Sequence, residues 1–425
     1  MSSLLNDYAN IAGQDAIDQL TQLAHPLKGI KIVHVNSTAV GGGVAEILSK
    51  MVPFMHALGL DVKWEVIQGN DAFFHCTKQF HNALQGLKVN LTEKDIANYE
   101  ETNVKNAETL KETLNNADIV LIHDPQPISM IDQFPDRKGK WIWRCHIDAS
   151  KPLRSVWNYL RKYIIKFDAS IFSMPEFTHP LPIPMFLILP SIDPLSDKNC
   201  DLPPEAILET KKLFGIDTHR PLLLQVSRYD HFKDPIGVVK AFHIIKKFNP
   251  TVQLVMAGGE ASDDPEGSAV LKEVLSAAAG DPDIHILLLP GDAHKTINAL
   301  QRGSDIIIQK SIVEGFGLTV TEGLWKGKAV IGGNVGGIRT QVINWQTGFL
   351  VDTPEGAAWR IRYLLQNKHQ LQEMGMKGKE LVRERFLLTR QLREHLTLIY
   401  SLYFQQANRI ELNRHDMVSL SSEGK

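Results

Sequence analysis

The sequence predicts an α/β protein built as two doubly wound, Rossmann-like halves. Three observations carry that prediction. Short apolar runs closed by turn residues alternate with helical patterns along the chain, as parallel sheets covered on both faces require. The alternation stops once, at residues 190–204, where four prolines leave no periodicity, and then restarts. At 425 residues and 43% hydrophobic content, the chain exceeds one ordinary core. The expected domains are 1–196, rejoined by 386–425, and 197–385. Ligands are expected beyond the carboxyl ends of the strands, in the cleft between the halves.

The elements follow in order. Residues 1–28 are polar and read as one amphipathic lead-in helix. IKIVHV (30–35) is a buried strand; a turn on Gly41, Gly42 and Gly43 follows, then a helix to about Leu58, which is the opening of a βαβ unit. Strands are expected at 62–67, 119–122, 141–145, 169–173 and 185–189, with helices at 72–86, 92–115 and 152–166. After the proline-rich linker, strands are expected at 222–226, 252–257, 284–288, 305–309, 329–332 and 348–351. Helices are expected at 234–248, 265–279, 293–302, 318–326, 355–367 and 369–385. A last helix, 389–405, packs back on one of the halves.

The bulk numbers exclude several classes. Net charge is −2 and the isoelectric point about 6.8, so no basic face for nucleic acid is implied. The N-terminus lacks an apolar signal-like core, and no apolar run reaches the ~18 residues of a membrane span. Cys76, Cys145 and Cys200 are too scattered for a disulfide framework or a metal pattern. The expected location is the cytoplasm; the oligomeric state is open, with a homodimer only as the general prior.

The most informative stretch runs from Ser311 to Ile338. Glu314 and Glu322 stand eight positions apart, with Gly315, Phe316 and Gly317 between them and the apolar run from Leu318 to Trp325 behind. A strand, a glycine turn and a helix start offer free N–H donors and a positive dipole end to a phosphate, and the carboxylates can accept from sugar hydroxyls. The same residues also fit a helix with acids in its first turn and nothing more. Gly41 to Gly43 allow backbone to approach a ligand closely, but Glu46 occupies the third-glycine position of the dinucleotide fingerprint. Arg228 and Lys233 follow the first strand of the second half, where two cations can hold a diphosphate and support its departure. A solvated charged loop is the plainer alternative. His146, Asp124 and Gln126 end two strands of the first half and could meet a hydroxylated acceptor. Asp281-Pro282-Asp283 precedes a strand and reads as a turn, so no metal site is expected.

Together these residues resemble retaining glycosyltransferases of the GT-B fold, family 4, over about residues 30 to 385. More narrowly, seven stretches resemble trehalose glycosyl-transferring synthases and the related retaining trehalose phosphorylases: HVNSTAVGGGVAEIL (34–48), FHNALQG (80–86), HDPQP (123–127), WRCHID (143–148), SIDPLSDKN (191–199), DDPEG (263–267) and EGFGLTVTE (314–322). The resemblance implies glucosyl transfer from a nucleoside-diphosphate glucose, such as UDP-glucose or ADP-glucose, to glucose, giving α,α-trehalose with retention. It implies that Arg228 and Lys233 hold the diphosphate, that the Gly41–Gly43 amides face it, and that Glu314, Gly315, Phe316, Gly317 and Leu318 meet the donor sugar. Glu322 would take the ribose hydroxyls and His146 would lie beside the donor glucose; Asp124 and Gln126 fall on the acceptor side. No metal or other cofactor is implied. A phosphorylase reaction and a sugar-phosphate acceptor are the alternatives; Arg144, Lys151 and Arg154 are the cations available to the latter. Asp234, directly after Lys233, departs from the small residue usual in such loops. Its carboxylate would either weaken phosphate binding or face solvent.

Overall fold

The computed structural model describes residues 3–40, 42–259 and 265–404, with 410 and 412. The chain forms two compact units, Met1–Ser191 with Leu388–Lys425, and Ile192–Leu387.

In the first unit six parallel strands, β1 (Lys31–Asn36), β2 (Asp61–Val66), β3 (Ile119–His123), β4 (Lys140–Arg144), β5 (Ala169–Phe172) and β6 (Met185–Leu187), lie in the order β2-β1-β3-β4-β5-β6. The second unit holds β7 (Leu222–Val226), β8 (Gln253–Gly259), β9 (Ile284–Leu289), β10 (Ile306–Gln309), β11 (Ala329–Gly333) and β12 (Gly348–Val351), in the order β12-β11-β10-β7-β8-β9. Every residue of β3, β7, β10 and β11 is buried, the signature of strands covered on both faces. Strand order reverses between β1 and β3 in one sheet and between β7 and β10 in the other. Connections leave in opposite directions at these two points and open a crevice at the strand ends.

Two expectations are corrected. The lead-in helix is two, Ser3–Ala12 and Gln14–Ala24, because Gly13 adopts φ 91 and breaks the ladder. The proline-rich stretch hides a helix start: Pro203 caps and Pro204 opens helix Pro204–Leu213, where a missing N–H costs nothing. The linker is also tied down by side chains. Asn298 donates to the carbonyls of Asp197 and Cys200, Arg302 to those of Asn199 and Cys200, and Lys326 to Asn199 Oδ1 at 3.0 Å. These bonds stitch residues 197–200 to the second unit. Helix Leu388–Phe404 belongs to the first unit and packs on Gln14–Ala24, with Arg393 bonded to Gln19 and Arg390 to the carbonyls of Leu189 and Pro190.

The Ser3–Ala12 helix is anchored by Tyr8, whose ring stacks on fully buried Phe54 at 4.1 Å between centroids. Phe54→Ala opens that contact and should lower the stability of the first unit by about 3–5 kcal/mol. Chemical denaturation followed by hydrogen exchange in helix Gly43–Ala57 measures it.

Candidate active site

Each unit carries a polar constellation at its own switch point. In the second, the loop leaving β7 carries Arg228 and Lys233, and the loop leaving β10 carries Glu314. Lys233 Nζ lies 2.7 Å from Glu314 Oε2, and Ser311 Oγ donates to the same oxygen at 3.1 Å. The backbone is pinned as well: the Ile312 N–H donates to Phe232 O at 2.8 Å, and Gln225 donates to Lys233 O at 2.9 Å. The structure therefore brings two of the three predicted catalytic side chains together. Arg228, with its side chain 68% exposed, pairs with Asp230 at 3.3 Å.

Gly315, Phe316 and Gly317 form the turn into helix Leu318–Trp325, with Gly317 at φ 83 and no side-chain cap. Among the described residues, no hydrogen bond is donated by the backbone N–H of Gly315, Phe316 or Gly317. A second turn braces this one from behind. The Gly337 N–H donates to Gly315 O at 3.1 Å, and a Cβ on Gly336 would come within 1.7 Å of Glu314 O. Gln341 donates to Phe316 O at 2.7 Å, and Leu318 is half-buried at the helix start. Glu322 sits one turn in and is 2% exposed; Gln301 donates to its Oε2 at 3.1 Å, and Lys198 lies 3.7 Å from Oε1.

Asp234 does not simply face solvent. It adopts φ 48, ψ 50 and caps helix Pro235–Lys246 by accepting the Gly237 N–H at 3.1 Å. Its other oxygen pairs with Lys310, whose side chain is 4% exposed. The acid beside Lys233 is thus neutralised by a cation of its own. Asp281 and Asp283 are structural too, clamping Lys246, with Arg220 on Asp283. Among the described residues, no group of three or more His, Cys, Asp or Glu could hold a metal ion, and no helix is long and apolar enough to cross a membrane.

In the first unit, Gly42 has φ 79 and precedes helix Gly43–Ala57 without a side-chain cap; Gly41 lies outside the described residues, as do Asp263 and Asp264 of the DDPEG stretch. Asp124, at φ 61, is held from three sides. Its N–H donates to Arg144 O, its carbonyl accepts from Trp143 Nε1, and its Oδ1 accepts the His146 N–H at 2.7 Å. Burial pushes its carboxyl up to about 7, against the pull of the His146 N–H and the Arg144 guanidinium. Gln126 is nearby on the same loop, with Oε1 buried and, among the described residues, unpartnered, and its carbonyl accepting from Asn103. Arg144 is fully buried and donates to Ser173 Oγ and Ile188 O, so it is not a surface cation for a phosphate-bearing acceptor.

Two residues escaped the sequence reading. His34 and His123 lie in a row with His146, each imidazole 3.0 Å from the next. The available signal was a histidine near the carboxyl end of an otherwise apolar run, twice over.

The fold alone already defines a class. The chain superposes on an α,α-trehalose-phosphate synthase (UDP-forming) from Burkholderia vietnamiensis with a TM-score of 0.71 at 14% identity, over 88% of this chain and 99% of that one. This is the GT-B fold of glycosyltransferases. Residues 34–179 match the family model "Trehalose synthase, N-terminal domain", and residues 207–381 match "Glycosyl transferases group 1". The chain is 43% identical over 402 residues to a trehalose synthase of Pyrococcus horikoshii, covering 94% of this chain and 96% of that protein. It is 28% identical to a trehalose phosphorylase of Pleurotus pulmonarius, covering 81% of this chain but 54% of that protein. The chain belongs to the trehalose synthase family of glycosyltransferases.

Two measurements test this geometry. Asp234→Ala removes a helix cap and strands a buried ammonium, and should cost about 3 kcal/mol in unfolding of the second unit by denaturant. For Asp124 the sign follows from its raised folded pKa. The folded state holds a proton that the unfolded state releases, so this group's contribution falls as pH rises from about 4, the unfolded value, to about 7. Asp124→Asn should therefore gain stability relative to the parent across that window in thermal unfolding; a pH-independent difference would count against a raised carboxyl.

Proposed function

We propose that the protein is a retaining glucosyltransferase making α,α-trehalose from a nucleoside-diphosphate glucose and free glucose. The observation that carries the reading is the 2.7 Å contact of Lys233 with Glu314 at the switch point of the second sheet, beside an uncapped helix start. Membership of the trehalose synthase family supports the choice of product.

In this reading Lys233 and Arg228 hold the diphosphate, Arg228 exchanging Asp230 for a phosphate oxygen. The amides of Gly41, Gly42 and Gly43 face the same group. Glu314, with the backbone of Gly315, Phe316, Gly317 and Leu318, holds the donor hexose. Glu322 takes the ribose hydroxyls; a carboxylate has about four acceptor sites, so Gln301 and Lys198 leave room for them. His146 lies beside the donor glucose, and Asp124 and Gln126 take the acceptor. The bond from the sugar C1 to the leaving phosphate oxygen breaks, and its electron pair goes to the diphosphate. The acceptor O1 attacks C1 from the same face and passes its proton to that phosphate oxygen, which keeps the configuration. The two cations and the helix dipole meet the developing negative charge, so no metal is needed for the step.

The test is a panel of UDP-, ADP- and GDP-glucose with glucose, the disaccharide linkage being read by NMR and repeated in EDTA. α,α-Trehalose plus the nucleoside diphosphate, undiminished by EDTA, is expected. Product formed only from trehalose and phosphate, or only with glucose 6-phosphate, would replace this reading with one of its alternatives. Lys233→Ala should lower kcat by about 10²–10³-fold.

A further inference from the structure

His34 on β1, His123 at the end of β3 and His146 just past β4 form one continuous row across three neighbouring strands. His34 Nδ1 lies 3.0 Å from His123 Nε2, and His123 Nδ1 lies 3.0 Å from His146 Nε2. Both ring pairs have centroids 5.3 Å apart and planes inclined by 22°. His34 and His123 are buried, and His146 is the ring that reaches partial exposure.

A neutral imidazole has one N–H and one lone pair. Each of the two contacts therefore needs one proton, and all three rings must run in the same sense. Burial, with the Arg144 guanidinium beside His123 and His146, keeps the rings neutral near pH 7; His34 is lowered to about 4 and the other two well below the ordinary value. Two senses remain, and the inner end distinguishes them. Among the described residues, His34 Nε2 is buried with no partner. In one sense it is an unpartnered N–H, in the other an unpartnered lone pair. Orphaned buried N–H groups are the rarer kind.

We propose that this row acts as a tautomer relay: His34 and His123 are positioning residues that fix His146 with its proton on Nδ1, so that His146 offers a hydrogen-bond donor to a sugar oxygen at the strand ends. His34 donates through Nδ1 to His123, and His123 through Nδ1 to His146. The acceptor at the outer end is a hydroxyl or ring oxygen of the bound hexose. That identity rests on the proposed glucosyl transfer, whereas the direction of the relay does not.

The test is histidine-selective ¹⁵N labelling of the full chain at pH 7.5, the three rings being assigned by single substitutions. Nδ1 protonated and Nε2 bare in all three is the expected pattern. Nε2 protonated in His146, or opposed senses within the row, overturns the proposal. A second arm uses His34→Leu and His34→Asn; the Asn amide nitrogen falls where Nδ1 stood and can still donate to His123. The Leu variant should lose the uniform Nδ1–H pattern at His146 and about tenfold in kcat, the worth of one misdirected hydrogen bond, and the Asn variant should restore both. Equal loss in both variants with the His146 tautomer unchanged reduces His34 to packing and also overturns the proposal. If His34→Leu does not fold, the parent pattern and the Asn variant decide. A correct relay in a protein that transfers no glucose would refute the function and leave the relay standing.

Discussion

A strand buried on both faces has no place for a polar side chain except at its ends, and that constraint organises both units. β3, β7, β10 and β11 are buried throughout. What they carry in charge and hydrogen-bonding capacity is displaced to the residues just past their carboxyl termini. Where strand order reverses, two such termini stand side by side with their connections departing in opposite directions. Asp124 and the imidazole row lie at one reversal, and Lys233 and Glu314 at the other.

The two constellations differ in electrostatic character. In the second unit acids and cations come paired: Glu314 with Lys233, Asp234 with Lys310, Glu322 with Lys198. Such pairs keep poorly hydrated charges affordable and leave the helix start as the unbalanced positive element. The first unit instead relies on groups whose charged forms burial disfavours. Its histidines are depressed, and the Asp124 carboxyl is raised to about 7. One site suits the charge of a phosphate, and the other the dipoles of hydroxyl groups.

Much of this was legible in one dimension. β7 and β12 coincide with the runs expected at 222–226 and 348–351, because continuous apolar segments bounded by turn residues leave little choice. The glycine turn into helix Leu318–Trp325 could be read the same way. The split at Gly13 could not, since a single glycine within a helical pattern is often tolerated. The partnership of Lys310 with Asp234 spans 76 residues, and that of His34 with His123 spans 89. Nothing local announces either; each exists because strand order sets β10 beside β7 and β3 beside β1. Glu322 was placed correctly on its helix, yet its burial depends on Gln301 and Lys198 from distant segments.

The turn that carries Glu314 is cast against bare main chain. A methyl group at Gly333 would meet Ser311 O at 2.0 Å, and one at Gly337 would meet the Phe316 Cα at 2.7 Å. The shape of this loop is thus recorded in atoms that are missing, not in side chains that could be exchanged by degrees. Attempts to reshape this loop by mutagenesis would meet a rigid mould here, and variation would have to be sought in the walls around it.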